Sequence, residues 1–154
     1  MNPEKVFIAG DHRGFKLKAK LLEVFPDFID LGPSEYNKDD DYNDYAVKVS
    51  KSVLENPNSF GVLLCGSAIG ISMQANRFKG IRAAIVDDEG IARLSREHNN
   101  ANIICLSADR IGDDPEKFKK ALECMNIFLH TPFPAEERHV RRIEKLDSIL
   151  IGEN

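Results

Sequence analysis

The sequence predicts one α/β domain over residues 1–154: a five-stranded parallel sheet, doubly wound, covered by helices on both faces and closed by a C-terminal helix. Three observations carry that expectation. Five short apolar runs rich in β-branched residues recur along the chain, each too continuous for a strand with one wet face. Segments of helical period separate them, so strands and helices alternate as in successive βαβ units. No internal repeat, low-complexity tract or shift of composition divides the 154 residues. The result is a single Rossmann-like αβα sandwich.

The first strand is Val6-Phe-Ile-Ala-Gly10, and an amphipathic pattern from about Phe15 to Phe25 makes the first helix. Phe28 to Gly32 is the second strand, and Asp44 to Glu55 a helix. The third strand, Phe60-Gly-Val-Leu-Leu-Cys65, ends at a glycine-bracketed turn and a helix from Ile71 to Arg77. Ile81 to Val86 and Ile103 to Ser107 are the last two strands, with a helix from Asp88 to His98 between them. Asp113-Asp-Pro-Glu then starts a helix running to about Leu129, because an acidic cap followed by proline suits a helix N-terminus. A final helix after Pro134 covers Glu136 to Leu150.

Composition bounds the function. Hydrophobic residues make up 42% and charged residues 30%, with a net charge of -4, as in an ordinary globular protein. That mildly acidic balance argues against nucleic acid or an anionic membrane as partner. No stretch reaches the roughly 20 apolar residues of a membrane span, and the N-terminus leads straight into a strand, so a cytoplasmic protein is expected. Three cysteines without Cys-x-x-Cys or Cys/His ligand spacing speak against a disulfide framework and a structural zinc site. All three are expected as reduced thiols.

In a doubly wound sheet, ligands bind beyond the carboxyl ends of the strands. Most of the unusual residues fall there. Cys65 closes a strand and faces a helix start, a setting that favours thiolate through the positive end of the helix dipole. A thiol ending an apolar run also fits a buried structural cysteine. The loop Gly66-Ser67-Ala68-Ile69-Gly70 is neither a dinucleotide fingerprint nor a nucleoside triphosphate loop, yet Ser67 and the free amides could hold an oxyanion beside the sulfur. Asp11 and His12 follow the first strand toward the same crevice. Asp39, Asp40 and Asp41 read as a solvated acidic loop with a helix cap, leaving Tyr42 as the functional candidate there. Arg138, Arg141 and Arg142 share a face of the last helix, which is either solvated or a fork for a phosphate dianion. Cys105, within a strand, and Cys124, within a helix, are structural.

These residues bring a resemblance into view. Ala9-Gly-Asp-His12, Asp41-Tyr42 with Tyr45-Ala46, Cys65-Gly-Ser-Ala-Ile-Gly-Ile-Ser72, Gly80-Ile-Arg82, Ser95-Arg-Glu-His-Asn99 and Arg138-His139 with Arg142 occur in order over most of the chain. In them the chain resembles the type B ribose-5-phosphate isomerases, a family that also includes galactose-6-phosphate and allose-6-phosphate isomerases. The resemblance implies an aldose-ketose isomerase that interconverts ribose 5-phosphate and ribulose 5-phosphate through a cis-enediolate, in the pentose phosphate pathway, with no metal or cofactor. It further implies Cys65 as the base and His98 as the ring-opening acid near Asp11, with Ser67 and the amides of Gly66, Ala68, Ile69 and Gly70 holding the enediolate. His12, Arg138 and Arg142 would clamp the phosphate, and Tyr42 and Asn99 would touch the sugar. A homodimer or dimer of dimers with shared sites is implied as well. A six-carbon sugar phosphate as substrate and a non-catalytic sugar-phosphate-binding subunit are the alternatives. One departure stands out: Ser107-Ala-Asp-Arg110 puts Asp109 where the family pattern has arginine.

Overall fold

A computed structural model describes residues 2–148. The sheet is built from β1 (Lys5–Gly10), β2 (Ile29–Asp30), β3 (Ser59–Cys65), β4 (Ala83–Ile85) and β5 (Ile103–Ser107), in the order β2-β1-β3-β5-β4 with every pair parallel. The helices are α1 (Phe15–Val24), α2 (Tyr42–Glu55), α3 (Ile69–Ala75), α4 (Glu89–Glu97), α5 (Ala108–Ile111), α6 (Pro115–His130) and α7 (Glu137–Ser148). The expected fold class is the one found. The last two residues expected for the final helix, Ile149 and Leu150, lie outside the described residues.

Alternation along the strands divides the core into two layers. On one face Val6, Ile8, Val62, Leu64, Ile104 and Leu106 pack against α1, α4 and α6 through Leu17, Leu21, Ala92, Met125 and Phe128. On the other, Phe7, Ala9, Leu63, Cys65, Ile103 and Cys105 meet α2 and α3 through Tyr45, Val49, Val53, Ile71 and Ala75. Burial of both faces explains why the central strands read as unbroken apolar runs.

The edges depart from the expectation. β2 is reduced to Ile29 and Asp30, both exposed, because it lies outermost and has no second neighbour to fix a longer strand. β4 is likewise only Ala83 to Ile85. Its free edge is plugged by a side chain: Asn76 Nδ2 donates to the carbonyl of Ala83 at 2.9 Å, while its Oδ1 accepts the Ala83 N–H at 2.8 Å. The helix start after Asp113 is as expected, with Asp114 accepting from the amides of Glu116 and Lys117 and Pro115 in the first turn. The short α5 is additional; the Ser107 hydroxyl accepts the Arg110 N–H at its start and donates to the Gly66 carbonyl at 2.7 Å.

Strand order reverses between β1 and β3, and the rule for doubly wound sheets places a ligand beyond the carboxyl ends of these two strands. Gly10 pairs with Leu64, so Asp11 and Cys65 occupy the next positions on adjacent strands.

Candidate functional site

Backbone constraints bring the two strand ends together. The Asp11 N–H bonds the Leu64 carbonyl at 3.1 Å, and a Cβ on Gly10 or Gly14 would come within 2.7 Å of that same oxygen. Only glycine lets the turn after β1 close so tightly on β3. Asp11, 5% exposed, accepts the N–H groups of Arg13 and Gly14 on Oδ1 at 3.0 and 3.1 Å. Burial nevertheless raises its pKa above the ordinary carboxylate value.

Cys65 is 4% exposed on the face covered by α2 and α3. The expectation that the helix start lowers its pKa is not met: burial raises it, and the charge of Asp11 adds to that. The N–H groups of Ile71, Ala68 and Ser67 point at the sulfur and favour thiolate, but they do not outweigh desolvation. A helix of seven residues has a weak dipole in any case. The resting group is a thiol at neutral pH, poised among donors that would stabilise its anion. Cys105 and Cys124 are buried with raised pKa values, the latter pushed up to about 11, which fits their structural role.

The loop after Cys65 carries one strained position. Ala68 caps α3 at φ +66°, the left-handed region where glycine is preferred, so the turn holds an alanine in a conformation that most residues avoid. Gly66 is buried, Ser67 exposed, and the Ser67 hydroxyl accepts the Ile69 N–H at 3.2 Å. Tyr42 lies against this loop: a Cβ on Gly70 would stand 2.5 Å from its ring.

His12 is held by a residue that the sequence reading set aside. Asp40 Oδ1 lies 2.7 Å from His12 Nδ1 and accepts the His12 backbone N–H at 2.9 Å, with a side chain only 6% exposed. The assignment of this aspartate to a solvated loop is therefore corrected. Its second oxygen is buried without a hydrogen-bond partner among the described residues, a costly state that is concentrated at functional sites. Tyr45 sits beside it, its hydroxyl pushed up to about 12 by burial and by the Asp40 carboxylate. Asp11, His12 and Asp40 present ligand-type atoms within 4.8 Å of one another. The imidazole Nδ1 is engaged by Asp40 and Asp11 Oδ1 by two amides, so Asp40 alone fixes the orientation of the His12 ring.

The remaining expected residues form a second cluster. His98 is the exposed C-cap of α4, its ring stacked on His139 of α7 with centroids 4.3 Å apart. His139 is buried, and its pKa is lowered by burial and by the neighbouring His98. The Asn99 carbonyl accepts from Arg82 Nε at 3.0 Å, and Arg138 Nε donates to Glu136 at 3.1 Å. Arg138 and Arg142 are exposed on α7, whose Asp147 anchors the Gly80 N–H ahead of β4. This cluster lies toward the other end of the sheet. Asn102, just after it, accepts the Gly61 N–H, and Ile103 pairs with Gly61, whereas Cys65 pairs with Ser107. Arg110, beyond β5, is bonded to Asp87 at 2.8 Å, and Arg13 meets Asp109 at 2.6 Å.

A family profile described as Ribose/Galactose Isomerase matches residues 6–146. A probable ribose-5-phosphate isomerase B of Mycoplasma pneumoniae is 37% identical over 145 residues, covering 92% of this chain and 91% of that protein. The crystal structure of a ribose 5-phosphate isomerase of Thermotoga maritima superposes with a TM-score of 0.84 at 42% identity, covering 94% of this chain and 98% of that one. Ribose-5-phosphate isomerase B of Mycoplasma genitalium, solved with bound ribulose-5-phosphate, gives 0.84 at 37% identity over 92% and 93% of the two chains. With the match running from the first strand into the last helix, through both clusters, the chain belongs to the ribose/galactose isomerase family.

Proposed function

We propose that this protein interconverts ribose 5-phosphate and ribulose 5-phosphate in a site that two copies of the chain build together. The observation that carries the reading is Cys65, buried at a strand end with three backbone N–H groups aimed at its sulfur, next to Asp11 and beneath a glycine-bracketed loop. Moving a proton from the carbon next to a carbonyl onto the carbonyl carbon itself needs a base and an electrostatic cradle for the enediolate oxygens. The thiolate of Cys65 takes the proton from C2 of the open-chain aldose and returns it to C1, the C2 hydroxyl proton passes to O1, and the enediolate oxygens gather charge against Ser67 and the amides of Gly66 to Gly70. Tyr42 flanks the sugar. His12, aimed by Asp40, meets the phosphate.

His98 opens the sugar ring as an acid, with Asn99 on the sugar and Arg138 and Arg142 on the phosphate. Their separation from Cys65 within one protomer supports supply from a second copy. Three cysteines that are all unpaired suit a reducing cytoplasm. A coupled assay on ribose 5-phosphate tests the reading: Cys65→Ala loses turnover while a phosphorylated inhibitor still binds, and normal turnover by that variant would sink the base assignment.

A further inference from the structure

The protomer that carries Cys65 has a charge problem. A phosphate dianion arriving beside His12 meets two buried carboxylates, Asp11 and Asp40, with one imidazole to offset them. Most cations around the carboxyl ends of β1 and β3 are taken. Lys18 is buried on Asp30 and the Pro33 carbonyl, Lys16 and Lys20 pair with Asp113, and Arg110 is drawn to Asp87. Arg13 is paired as loosely as Arg110, and what sets it apart is its place. Its guanidinium lies over the loop at Gly66, where a Cβ would come within 2.9 Å of Nε, and it immediately follows His12. Asp109 holds it through Nη2 alone, at 2.6 Å, in a pair whose side chains are 57% and 47% exposed. A guanidinium has five N–H donors, and a pair so exposed to water is weakly held.

We propose that Arg13 is the guanidinium this protomer supplies to the substrate's phosphate, and that Asp109 parks it at the mouth of the Cys65 loop until substrate arrives. The geometry supplies both halves. Asp109 is fixed by its own N–H on the Gly66 carbonyl at 3.1 Å, at the start of α5, so the parked arginine stands at the rim rather than across the sulfur. A phosphate that engages His12 Nε2 comes within reach of the next side chain on the same turn. The arginine then trades a single bond to an exposed carboxylate for a bidentate contact with a dianion, the geometry guanidinium favours. The departure at position 109 thus acquires a purpose: the carboxylate holds an arginine supplied from position 13.

This inference rests on the isomerase reading, so its test has two readouts. Arg13→Ala, Arg13→Lys and Asp109→Ala are compared in steady-state turnover of ribose 5-phosphate and in direct calorimetric titration with inorganic phosphate. Losing one charge-assisted contact to phosphate raises KM and the phosphate Kd by roughly ten- to a hundredfold in Arg13→Ala, with kcat within about twofold. Arg13→Lys falls between, and Asp109→Ala, which releases the guanidinium, lowers both constants. Unchanged constants in Arg13→Ala would overturn the proposal. So would an Asp109→Ala variant that raises KM and depresses kcat in step with Arg13→Ala, because the pair would then be a structural tie. Absence of turnover in the unsubstituted protein would remove the isomerase reading instead, while the phosphate titration would still report on Arg13.

Discussion

Mixing two dead variants tests the shared site most directly. Cys65 pairs with Ser107 at one end of the β3–β5 ladder and Gly61 with Ile103 at the other, and His98 lies before Ile103 in the chain. Four residues of parallel strand span roughly 13 Å, so the two side chains of one protomer belong to different ends of the sheet. In a twofold dimer each site then takes Cys65 from one copy and His98 from the other. Cys65→Ala and His98→Asn are each inactive alone. Mixed in equal amounts and allowed to exchange subunits, half of the dimers are heterodimers with one site carrying both lesions and one carrying neither. Random assembly therefore restores about a quarter of normal activity. The assay is turnover of ribose 5-phosphate after co-expression, with differently tagged subunits confirming exchange. If exchange occurs and activity stays at the level of the single variants, Cys65 and His98 work within one chain.

Two more predictions concern the site's chemistry. The base acts as a thiolate and burial raises the Cys65 pKa, so kcat/KM should climb close to tenfold per pH unit through neutrality, with no plateau below the ordinary thiol value of about 8.5. Asp11→Asn removes one of the charges raising that pKa, and the rising limb should move to lower pH; a profile already flat at pH 6 would contradict this. Gly70→Ala puts a Cβ where the Tyr42 ring now rests. That ring is 36% exposed and can swing aside, so thermal stability should hold while KM rises severalfold, matching Tyr42→Ala. A Gly70→Ala variant with unchanged KM would free Tyr42 of any part in binding.

Much of this is legible in the sequence because it is local. Strand, turn and helix around Cys65 follow one another within a dozen residues, and the topological rule for doubly wound sheets points to Asp11 and His12 at once. What escapes is set by distance along the chain or by competition between forces. Asp40 reaches His12 across 28 residues, and nothing in an acidic run announces which member turns inward. Arg13 meets Asp109 across 96. The acidity of Cys65 is a balance of three amides against burial, and a sequence shows the amides without the weight of the burial. Ala68 takes a glycine's conformation because the loop around it dictates φ. The four-residue α5 is too short to show a helical period, and the edge strands shrink because half of a strand's support comes from its neighbours.

The amide of Asn76 on Ala83 has a consequence for how copies meet. An outermost strand with free N–H and C=O groups invites another chain to continue the sheet, and repetition of that contact makes fibres rather than closed pairs. Here the invitation is withdrawn by an internal mimic of a neighbouring strand. A second copy that met this edge would find its groups at Ala83 already bonded and would have to dock through side chains. One asparagine thus closes this edge at Ala83 to further pairing.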